Sequence, residues 1–202
     1  MALSIAELER GVKYWRRRPK WNQDFHNEFY RQLSEENPQG NFTAQWWQTF
    51  LPRLQRWVAT RGKTHAELTA NAEAAFPDLA RAWQTSVSPY FHLDIAKVTW
   101  AEVAAFPTAV APIKGVQSPV FTSKFCHFLA PSLFPVVDNA AMGGAPSYQR
   151  YFQRVQAEWS STPLDVQHEI RIALTRLVES PLAPGYPVVN KGVELCLIGR
   201  RH

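Results

Sequence analysis

The sequence predicts an all-α protein, and two observations lead to this prediction. In every long segment the apolar residues recur three or four positions apart, which is the spacing of one face of an α-helix. No segment shows the strict apolar–polar alternation that is typical of a half-buried strand. Amphipathic helices bury their apolar faces against one another, so we expect a core made of packed helices.

The length and the composition predict one compact unit with an unusual surplus of aromatic residues. A chain of 202 residues that is 46% hydrophobic can bury one substantial core, so we expect a single helical domain over residues 1–202. The eight Trp, twelve Phe and six Tyr residues exceed ordinary core needs. Exposed rings beside Arg and Lys would suit stacking on bases or sugars.

Caps, prolines and apolar spacing predict the helices of the N-terminal half. Ser4 and Glu7 have the spacing of a capping box, and Pro19 ends the helix that they begin. Pro52 is expected to kink the third helix, and Pro77 to break the fourth. The predicted helices cover residues 4–18, 22–35, 43–60 and 64–86.

The same signals predict the helices of the C-terminal half. Thr162 and Pro163 open one helix, with proline at the first helical position. Gly199 is expected to end the last helix as its C-terminal cap. The predicted helices cover residues 100–106, 120–129, 146–160, 162–178 and 188–198, with an irregular linker at residues 181–187.

We expect the chain to be organised around residues 113–142. This stretch divides into a tight turn at residues 113–117, a short apolar helix at 120–129 and an extended run at 134–137 that ends at Asp138. Asp is short and stiff, so a fixed backbone would fix its carboxylate oxygens. Asp138 is therefore either an accurately placed catalytic acid or the N-cap of a following helix, and the two roles are compatible.

The positive charge favours a polyanionic partner, although a merely basic protein would have the same balance. The net charge is +5 and the isoelectric point is near 9.4. Residues 14–21 form the densest basic and aromatic cluster, in which Arg16, Arg17 and Lys20 either contact nucleic acid or lie at a solvated helix end. A second basic group comprises Lys191, Arg200 and Arg201.

Cysteine and histidine usage indicates neither a metal site nor a disulfide framework. Cys126 and Cys196 lie in apolar segments and form no CxxC pattern, which favours a reduced, cytoplasmic compartment. The six histidines show no HExxH spacing, so we expect no metal and no cofactor. We also expect no signal peptide, no membrane-spanning segment and no membrane partner.

The central stretch resembles the helix-hairpin-helix DNA glycosylase superfamily. The matching features are Lys114-Gly115-Val116-Gln117, the helix that follows, and Phe134-Pro135-Val136-Val137-Asp138-Asn139. Members of that superfamily carry a glycine-rich hairpin and, later, an apolar run that ends in a catalytic Asp. The resemblance covers this stretch alone. It implies a glycosylase-like helical fold of two closely packed lobes, residues 1–110 with the C-terminal segment and residues 111–160.

The resemblance also implies roles for individual residues. Asp138 would be the catalytic carboxylate, and the hairpin amides would hold a DNA phosphate. The hairpin contacts would come from Lys114, Gly115, Val116, Gln117 and Ser118. Gln117 departs from the second hairpin glycine of the family, which would weaken the phosphate contact. Lys124 comes later than the lysine that forms a Schiff base in some members, which argues for an enzyme that leaves an abasic site.

Several further residues have two open interpretations. Lys124 and His127 lie near one face of the helix at 120–129, so each either serves the site or is a solvated end of an amphipathic helix. Ser123 and Asn139 are ambiguous in the same way, as a DNA contact and a substrate contact respectively. A pocket for an extruded base needs aromatic and polar walls. The candidates for those walls are Trp46, Trp47, Tyr90, His92, His127 and Asn139.

These features predict a monofunctional DNA glycosylase that acts as a monomer on double-stranded DNA with a modified base. A buried carboxylate would stabilise the cationic sugar that forms when the C1′–N bond breaks. The style of the motif suggests an outlying bacterial branch that excises glucosylated hydroxymethylcytosine in defence against phage. The alternatives are repair of oxidised, deaminated or alkylated bases, a non-catalytic DNA-binding module, and a helical interaction protein.

Overall fold

The computed structural model describes residues 1–19, 21–115, 118–137, 147–178 and 180–202. Within these ranges it contains ten α-helices and no strand, so the all-α prediction is confirmed. The helices are α1 (Ile5–Arg16), α2 (Asn27–Glu35), α3 (Ala44–Arg56), α4 (His65–Ser86), α5 (Trp100–Val103), α6 (Ala105–Lys114), α7 (Pro119–Leu129), α8 (Tyr148–Ser160), α9 (Leu164–Leu177) and α10 (Val188–Arg201). Two short 3-10 turns, Ser88–Tyr90 and Ile95–Lys97, connect α4 to α5.

The predicted capping box of α1 is present, and α4 begins with a second one. Ser4 accepts a hydrogen bond from the amide of Glu7, and the Glu7 carboxylate accepts one from the amide of Ser4, which completes the capping box of α1. Thr64 and Glu67 form the same reciprocal pair at the start of α4. Local side-chain chemistry therefore decides where these helices begin.

Helix α7 lies at the centre of the core. Its residues Phe121, Phe125 and Phe128 are fully buried, and Phe125 packs edge-on against Phe50 of α3. Helix α6 packs between α4 and α7 and contributes the buried Phe106. Buried side chains from helices throughout the chain form one contiguous hydrophobic core. This packing surrounds the short apolar helix that the sequence predicts at residues 120–129.

Helices α1 and α10 cross more closely than any side chain would allow. A Cβ atom on Gly11 would lie 1.9 Å from the carbonyl oxygen of Leu195, and one on Gly199 would lie 1.8 Å from that of Glu7. Both distances are far below van der Waals contact, so only glycine permits this crossing. The prediction that Gly199 ends the last helix is therefore wrong, because Gly199 is an interior packing residue and α10 continues to Arg201.

An ion-pair network joins three helices beside this crossing. The Arg200 guanidinium contacts the Glu7 carboxylate at 2.7 Å and the two Glu158 oxygens at 2.8 and 2.9 Å. Arg10 donates to the carbonyl oxygen of Gly199 at 2.9 Å. Arg200 is thus engaged in linking α1, α8 and α10, and the interpretation of this side chain as a DNA contact is not supported.

Other predicted boundaries also differ from the structure, and three of them involve Pro77, the predicted turn and Pro163. Pro77 lies inside a continuous α4, because Ala72 and Leu79 on either side are buried and hold the helix despite the lost backbone hydrogen bond. The tight turn predicted at residues 113–117 begins too early, since α6 extends to Lys114. Pro163 immediately precedes α9 and is not its first helical residue.

Among the described residues, no helix combines the length and the apolar character that a membrane-spanning segment requires.

Candidate active site

The segment at residues 134–137 is fixed to the protein by three hydrogen bonds to side chains. The amide of Val137 donates to Ser123 Oγ at 3.1 Å, and Tyr148 donates to the carbonyl oxygen of Pro135 at 3.1 Å. His127 Nδ1 lies 2.6 Å from the carbonyl oxygen of Phe134. Two of these three partners belong to α7. The central helix therefore sets the position of the backbone that leads into Asp138.

His127 is a buried structural residue whose tautomer follows from its partners. A carbonyl oxygen only accepts, so Nδ1 carries the proton, and Nε2 accepts a hydrogen bond from Tyr30 at 2.8 Å. Burial lowers the pKa of His127 to about 3, which keeps the ring neutral near pH 7. The side chain is only 3% exposed. Its role as a wall of an open pocket or as a phosphate contact is not supported.

Ser123 is likewise turned inward. Its side chain is fully buried, donates to the carbonyl oxygen of Val120 and accepts from the amide of Val137. The prediction that Ser123 contacts DNA is wrong, because the hydroxyl presents nothing to the surface. Its hydrogen bond instead holds the residue that precedes Asp138.

Five predicted site residues lie outside the described residues. They are Lys20, Val116, Gln117, Asp138 and Asn139. The structure does describe the residues on both sides of them, including Gly115, Ser118 and Val137. The approach to each predicted position can therefore be examined.

A cavity of about 500 Å³ opens beside the segment that precedes Asp138. We call it the aromatic cavity, because much of its wall consists of rings. These rings belong to Trp15, Trp21, His26, Phe29 and Trp57. Val136, two residues before Asp138, also lines this cavity. The predicted catalytic residue is therefore only two positions along the chain from a residue that lines the aromatic cavity.

The rings of the aromatic cavity are packed against one another. Phe29 stacks on Trp57 with their centroids 5.0 Å apart, and Trp21 meets Trp15 edge-on at 4.5 Å. Trp15 is fixed by a hydrogen bond from its indole nitrogen to the carbonyl oxygen of Asn22. Because these rings come from α1, α2 and the segments that follow α1 and α3, the cavity forms only when those parts pack together.

Polar side chains complete the wall of the aromatic cavity. Lys124, on α7, donates from Nζ to the carbonyl oxygen of Trp57, so this lysine lies within the wall. The other polar lining residues are Asn22, Glu28, Gln32, Arg53, Arg56 and Glu194. The cavity thus offers flat apolar surfaces together with hydrogen-bonding groups, which is the composition of a ligand site.

A buried ion pair on α10 contributes one of these polar groups. Lys191 Nζ lies 2.5 Å from Glu194 Oε2, and the two side chains are only 3% and 13% exposed. The ammonium also lies 4.7 Å from the centroid of Trp15, a cation–π contact. The interpretation of Lys191 as a DNA contact is therefore wrong. Sequence reasoning missed Glu194, although two opposite charges three positions apart, with apolar residues on either side, were a visible signal.

A second, water-sized cavity lies behind the aromatic cavity. Its volume of about 10 Å³ is near the minimum that one water requires. It shares Trp57, Val136 and Glu194 with the aromatic cavity. The Oδ1 atom of Asn190, another lining residue, is buried without a hydrogen-bond partner in the described part of the chain. This cavity gives the segment before Asp138 a polar environment on its inner side.

Four of the residues predicted for a base pocket lie elsewhere: Trp46, Trp47, Tyr90 and His92. Trp47 is 1% exposed and donates from its indole nitrogen to Thr69 Oγ1 at 3.1 Å, so it is a core residue. Trp46 stacks on Phe50 at 4.6 Å. Tyr90 and His92 lie in or next to the 3-10 turns. None of the four lines the aromatic cavity.

The predicted hairpin region has the expected order of a helix, a glycine and a helix. Gly115 adopts a φ of +123°, is exposed, and follows directly on α6. Ser118 is half-buried and precedes Pro119, the first residue of α7. Lys114 Nζ donates to the carbonyl oxygen of Ala59 at 2.6 Å, and burial lowers its pKa. The ammonium group of Lys114 is therefore held by a hydrogen bond within the protein.

The basic cluster at the end of α1 adjoins the aromatic cavity. Arg16 and Arg17 are exposed, and they directly follow Trp15, which lines the cavity. The guanidinium of Arg18 lies over the Tyr14 ring at 4.6 Å and near the Trp21 ring at 5.9 Å. Exposed cations thus follow a lining residue of the cavity along the chain, and positive charge near a site favours a polyanion.

A larger groove of about 620 Å³ lies between α4 and α6. Its described lining is mostly alanine, threonine and single charged residues such as Asp78 and Arg81. It contains none of the described site residues that the sequence predicts. The aromatic cavity is therefore the stronger candidate for the functional site.

Comparisons of the chain with protein-family models, with curated proteins and with solved structures each returned no match. The geometry of the aromatic cavity and its surroundings is consequently the ground on which a function can be proposed.

Proposed function

We propose that this protein is a monofunctional DNA glycosylase that extrudes a modified base and hydrolyses its N-glycosidic bond. One observation carries the proposal: Val136 lines the aromatic cavity, and the amide of Val137 is tied to Ser123 of the central helix. The next residue along the chain is Asp138. A carboxylate that directly follows this anchored backbone would suit the cleavage of a base from its sugar.

The extruded base would lie between the rings of the aromatic cavity. Removing a base from the stack costs free energy, and stacking on aromatic side chains offsets part of that cost. Trp21, Phe29 and Trp57 are half-buried lining residues that can provide such surfaces. A base bound against Val136 on the same wall would have the C1′ atom of its sugar near the residues that follow Val136, which include Asp138.

Asp138 would then act on the reacting sugar. As the C1′–N bond breaks, its electron pair moves to the base nitrogen, and positive charge develops on the sugar ring. The carboxylate stabilises that charge and orients a water molecule, whose oxygen attacks C1′. The proton of this water is taken up by Asp138 or by the departing base. The products are an abasic site and the free base.

The phosphate backbone would be held on two sides of the cavity. Arg16 and Arg17, which directly follow Trp15 of the cavity wall in the sequence, would provide exposed charge on one side. The N-terminus of α7 lies a few residues after Gly115, and free amides at a helix start favour an anion. The net charge of +5 adds a general attraction to DNA.

The size of the cavity favours a base with a bulky substituent. A volume of about 500 Å³ lies in the range of sites for drug-sized ligands and is generous for a bare pyrimidine. Gln32, Arg53 and Arg56 offer hydrogen-bonding groups that suit sugar hydroxyls. We therefore propose glucosylated hydroxymethylcytosine as the first substrate to test, with oxidised and alkylated bases as the alternatives.

The proposal is tested by incubating the purified protein with duplexes that each contain one modified base. The panel includes glucosylated hydroxymethylcytosine, hydroxymethylcytosine, uracil, 8-oxoguanine, an alkylated base and an unmodified control. Alkali converts abasic sites into strand breaks that a denaturing gel resolves. We expect cleavage of one substrate by the wild type and none by Asp138→Asn. Binding of all duplexes without cleavage of any would instead indicate a non-catalytic DNA-binding module.

A further inference from the structure

His26 combines two unfavourable features in the wall of the aromatic cavity. The first is its backbone, which has a φ of +69° and follows Phe25 with a φ of +52°. Two consecutive non-glycine residues in the left-handed region are rare, because the Cβ atom then crowds the following carbonyl oxygen. Such strain persists only where the surrounding structure enforces it.

Asp24 enforces this conformation. One carboxylate oxygen accepts a hydrogen bond from the amide of His26 at 3.0 Å, and the other accepts one from the amide of Glu28 at 2.9 Å. The carbonyl oxygen of His26 in turn accepts the first hydrogen bond of α2, from Tyr30. The strained turn is therefore held at both ends, and it directs the His26 side chain into the wall of the cavity.

The second unfavourable feature is the imidazole itself. The Nδ1 atom is buried and has no hydrogen-bond partner in the part of the chain that the structure describes. Leaving a polar atom buried without a partner costs free energy in the ligand-free protein. Burial, together with the nearby charge of Lys191, lowers the pKa of His26 well below its ordinary value. The ring is therefore neutral near pH 7, with one nitrogen as donor and the other as acceptor.

The surroundings of the ring are aromatic. Trp57 lies 4.7 Å away between centroids, and Trp15 meets the ring edge-on at 5.1 Å. Both tryptophans also line the aromatic cavity. Packing alone would be served better by phenylalanine, which fits an aromatic cluster and leaves no unpaired nitrogen. The presence of histidine at this strained position therefore points to a ligand.

We propose that His26 recognises the ligand of the aromatic cavity by a hydrogen bond from its imidazole to a planar heteroaromatic group, which under the proposed function is the extruded base. This inference rests on the proposed function for the identity of the ligand. The torsion about χ2 of histidine is soft, so a base that offers a partner can draw Nδ1 from the wall toward the cavity. The bound base would then satisfy the unpaired nitrogen.

The test uses substitutions that separate packing from hydrogen bonding. His26→Phe keeps a flat ring and removes both nitrogens. His26→Asn and His26→Gly form a matched pair, because both residues accept a positive φ but only asparagine carries a polar group. His168→Phe, at an exposed position on α9, is the control for the substitution itself.

The measurements are the single-turnover rate of base excision, the affinity for the duplex and the denaturant midpoint. We expect His26→Phe to be at least as stable as the wild type but to excise the base tenfold or more slowly, with unchanged duplex affinity. We expect His26→Asn to be faster than His26→Gly, and His168→Phe to match the wild type. Excision by His26→Phe at the wild-type rate, or equal rates for the asparagine and glycine variants, would overturn the inference.

A separate titration distinguishes failure of this inference from failure of the proposed function. Trp15, Trp21 and Trp57 line the cavity, so a planar ligand should quench the tryptophan fluorescence. The probes are free adenine, guanine, cytosine, thymine and 5-hydroxymethylcytosine. If the wild type excises nothing but a base quenches it and does not quench His26→Phe, the role of His26 stands and the glycosylase proposal falls. If the wild type excises nothing and no base quenches it, both fall.

Discussion

The hydroxyl of Tyr30 lies 2.8 Å from Nε2 of His127, whose Nδ1 atom lies 2.6 Å from the carbonyl oxygen of Phe134. A single neutral imidazole thereby connects α2 to the segment that leads into Asp138. Helix α2 also begins immediately after His26 and contributes Phe29 to the aromatic cavity. The wall of the cavity and the approach to the proposed catalytic residue are therefore parts of one hydrogen-bonded unit.

The two hydrogen bonds of the buried His127 predict that acid destabilises the protein, because this imidazole resists protonation in the fold. The pKa of His127 is about 3 in the folded protein against an ordinary value of 6.5. The contribution of His127 to the free energy of unfolding is fully present above pH 6.5. It is lost as the pH falls toward 3, because His127 then gains a proton in the unfolded chain but not in the folded protein. The expected slope is about 1.4 kcal/mol per pH unit. Urea unfolding at pH 7.5, 6.0 and 5.0 measures it.

His127→Gln is the comparison for this slope. It removes the titrating group, so its free energy of unfolding should fall less steeply with acid than that of the wild type. His26, whose pKa is also lowered, contributes to both proteins and cancels in the difference. Parallel slopes for the two proteins would show that His127 is protonated in the fold.

The hydrogen bond from Val137 to Ser123 predicts a defect in catalysis rather than in DNA binding. Ser123→Ala leaves the buried amide of Val137 without its partner and loosens the residue before Asp138. We expect the single-turnover rate to fall about tenfold, which corresponds to one lost hydrogen bond, while duplex affinity stays the same. Ser132→Ala, which removes a hydroxyl that donates to the carbonyl oxygen of Gly185 and not to the segment at residues 134–137, is the control. A loss of affinity with an unchanged rate would contradict the expectation.

The crossing of α1 and α10 predicts a strong dependence on glycine. Gly199→Ala would force a methyl group against the carbonyl oxygen of Glu7, which belongs to rigid helix backbone. We expect a loss of at least about 3 kcal/mol of unfolding free energy, measured by urea denaturation. Gly192→Ala is the matched variant, because its methyl would meet a side-chain atom of Ile170 at 2.8 Å and not helix backbone. Equal losses for the two variants would show that the crossing adjusts.

The buried pair of Lys191 and Glu194 predicts strong coupling between the two charges. Lys191→Met removes the cation that lies 2.5 Å from the carboxylate, at a side chain that is 3% exposed. We expect a loss of about 3–5 kcal/mol, of which the double variant Lys191→Met/Glu194→Gln recovers a part. The comparison is Arg81→Met in the exposed pair with Asp78, where the loss should stay below about 1 kcal/mol. A thermodynamic cycle of unfolding measurements gives the coupling.

The exposed arginines beside the cavity predict a salt-dependent contribution to DNA binding. Replacing Arg16 and Arg17 by Gln should weaken binding to all duplexes alike and flatten the dependence of affinity on salt by about one unit per lost phosphate contact. Fluorescence anisotropy between 50 and 200 mM salt, roughly the range over which such contacts are lost, measures both effects. Arg176→Gln on α9 should have neither effect. An unchanged salt slope in the double variant would exclude this surface.

The sequence predicted much of the helical fold and little of the site. The capping boxes and the apolar period act within a few residues, so the beginnings of α1 and α4 were visible in the sequence. Prolines were misleading in α4, because tertiary packing of its buried residues outweighs the local cost of Pro77. Gly199 was assigned to a helix end because a close helix crossing leaves no local signal in the sequence.

The sequence by itself determined that the chain is helical and that Gly115 lies between the end of one helix and the beginning of the next. Only the tertiary structure decided which aromatic residues face a cavity. The spacing of Trp46 and Trp47 along their helix is equally compatible with a pocket wall and with the core. In the structure, Trp47 lies in the core and Trp46 packs against it. Trp15 and Trp57 line the cavity because three-dimensional packing brings distant segments together, and spacing along a chain does not encode that proximity.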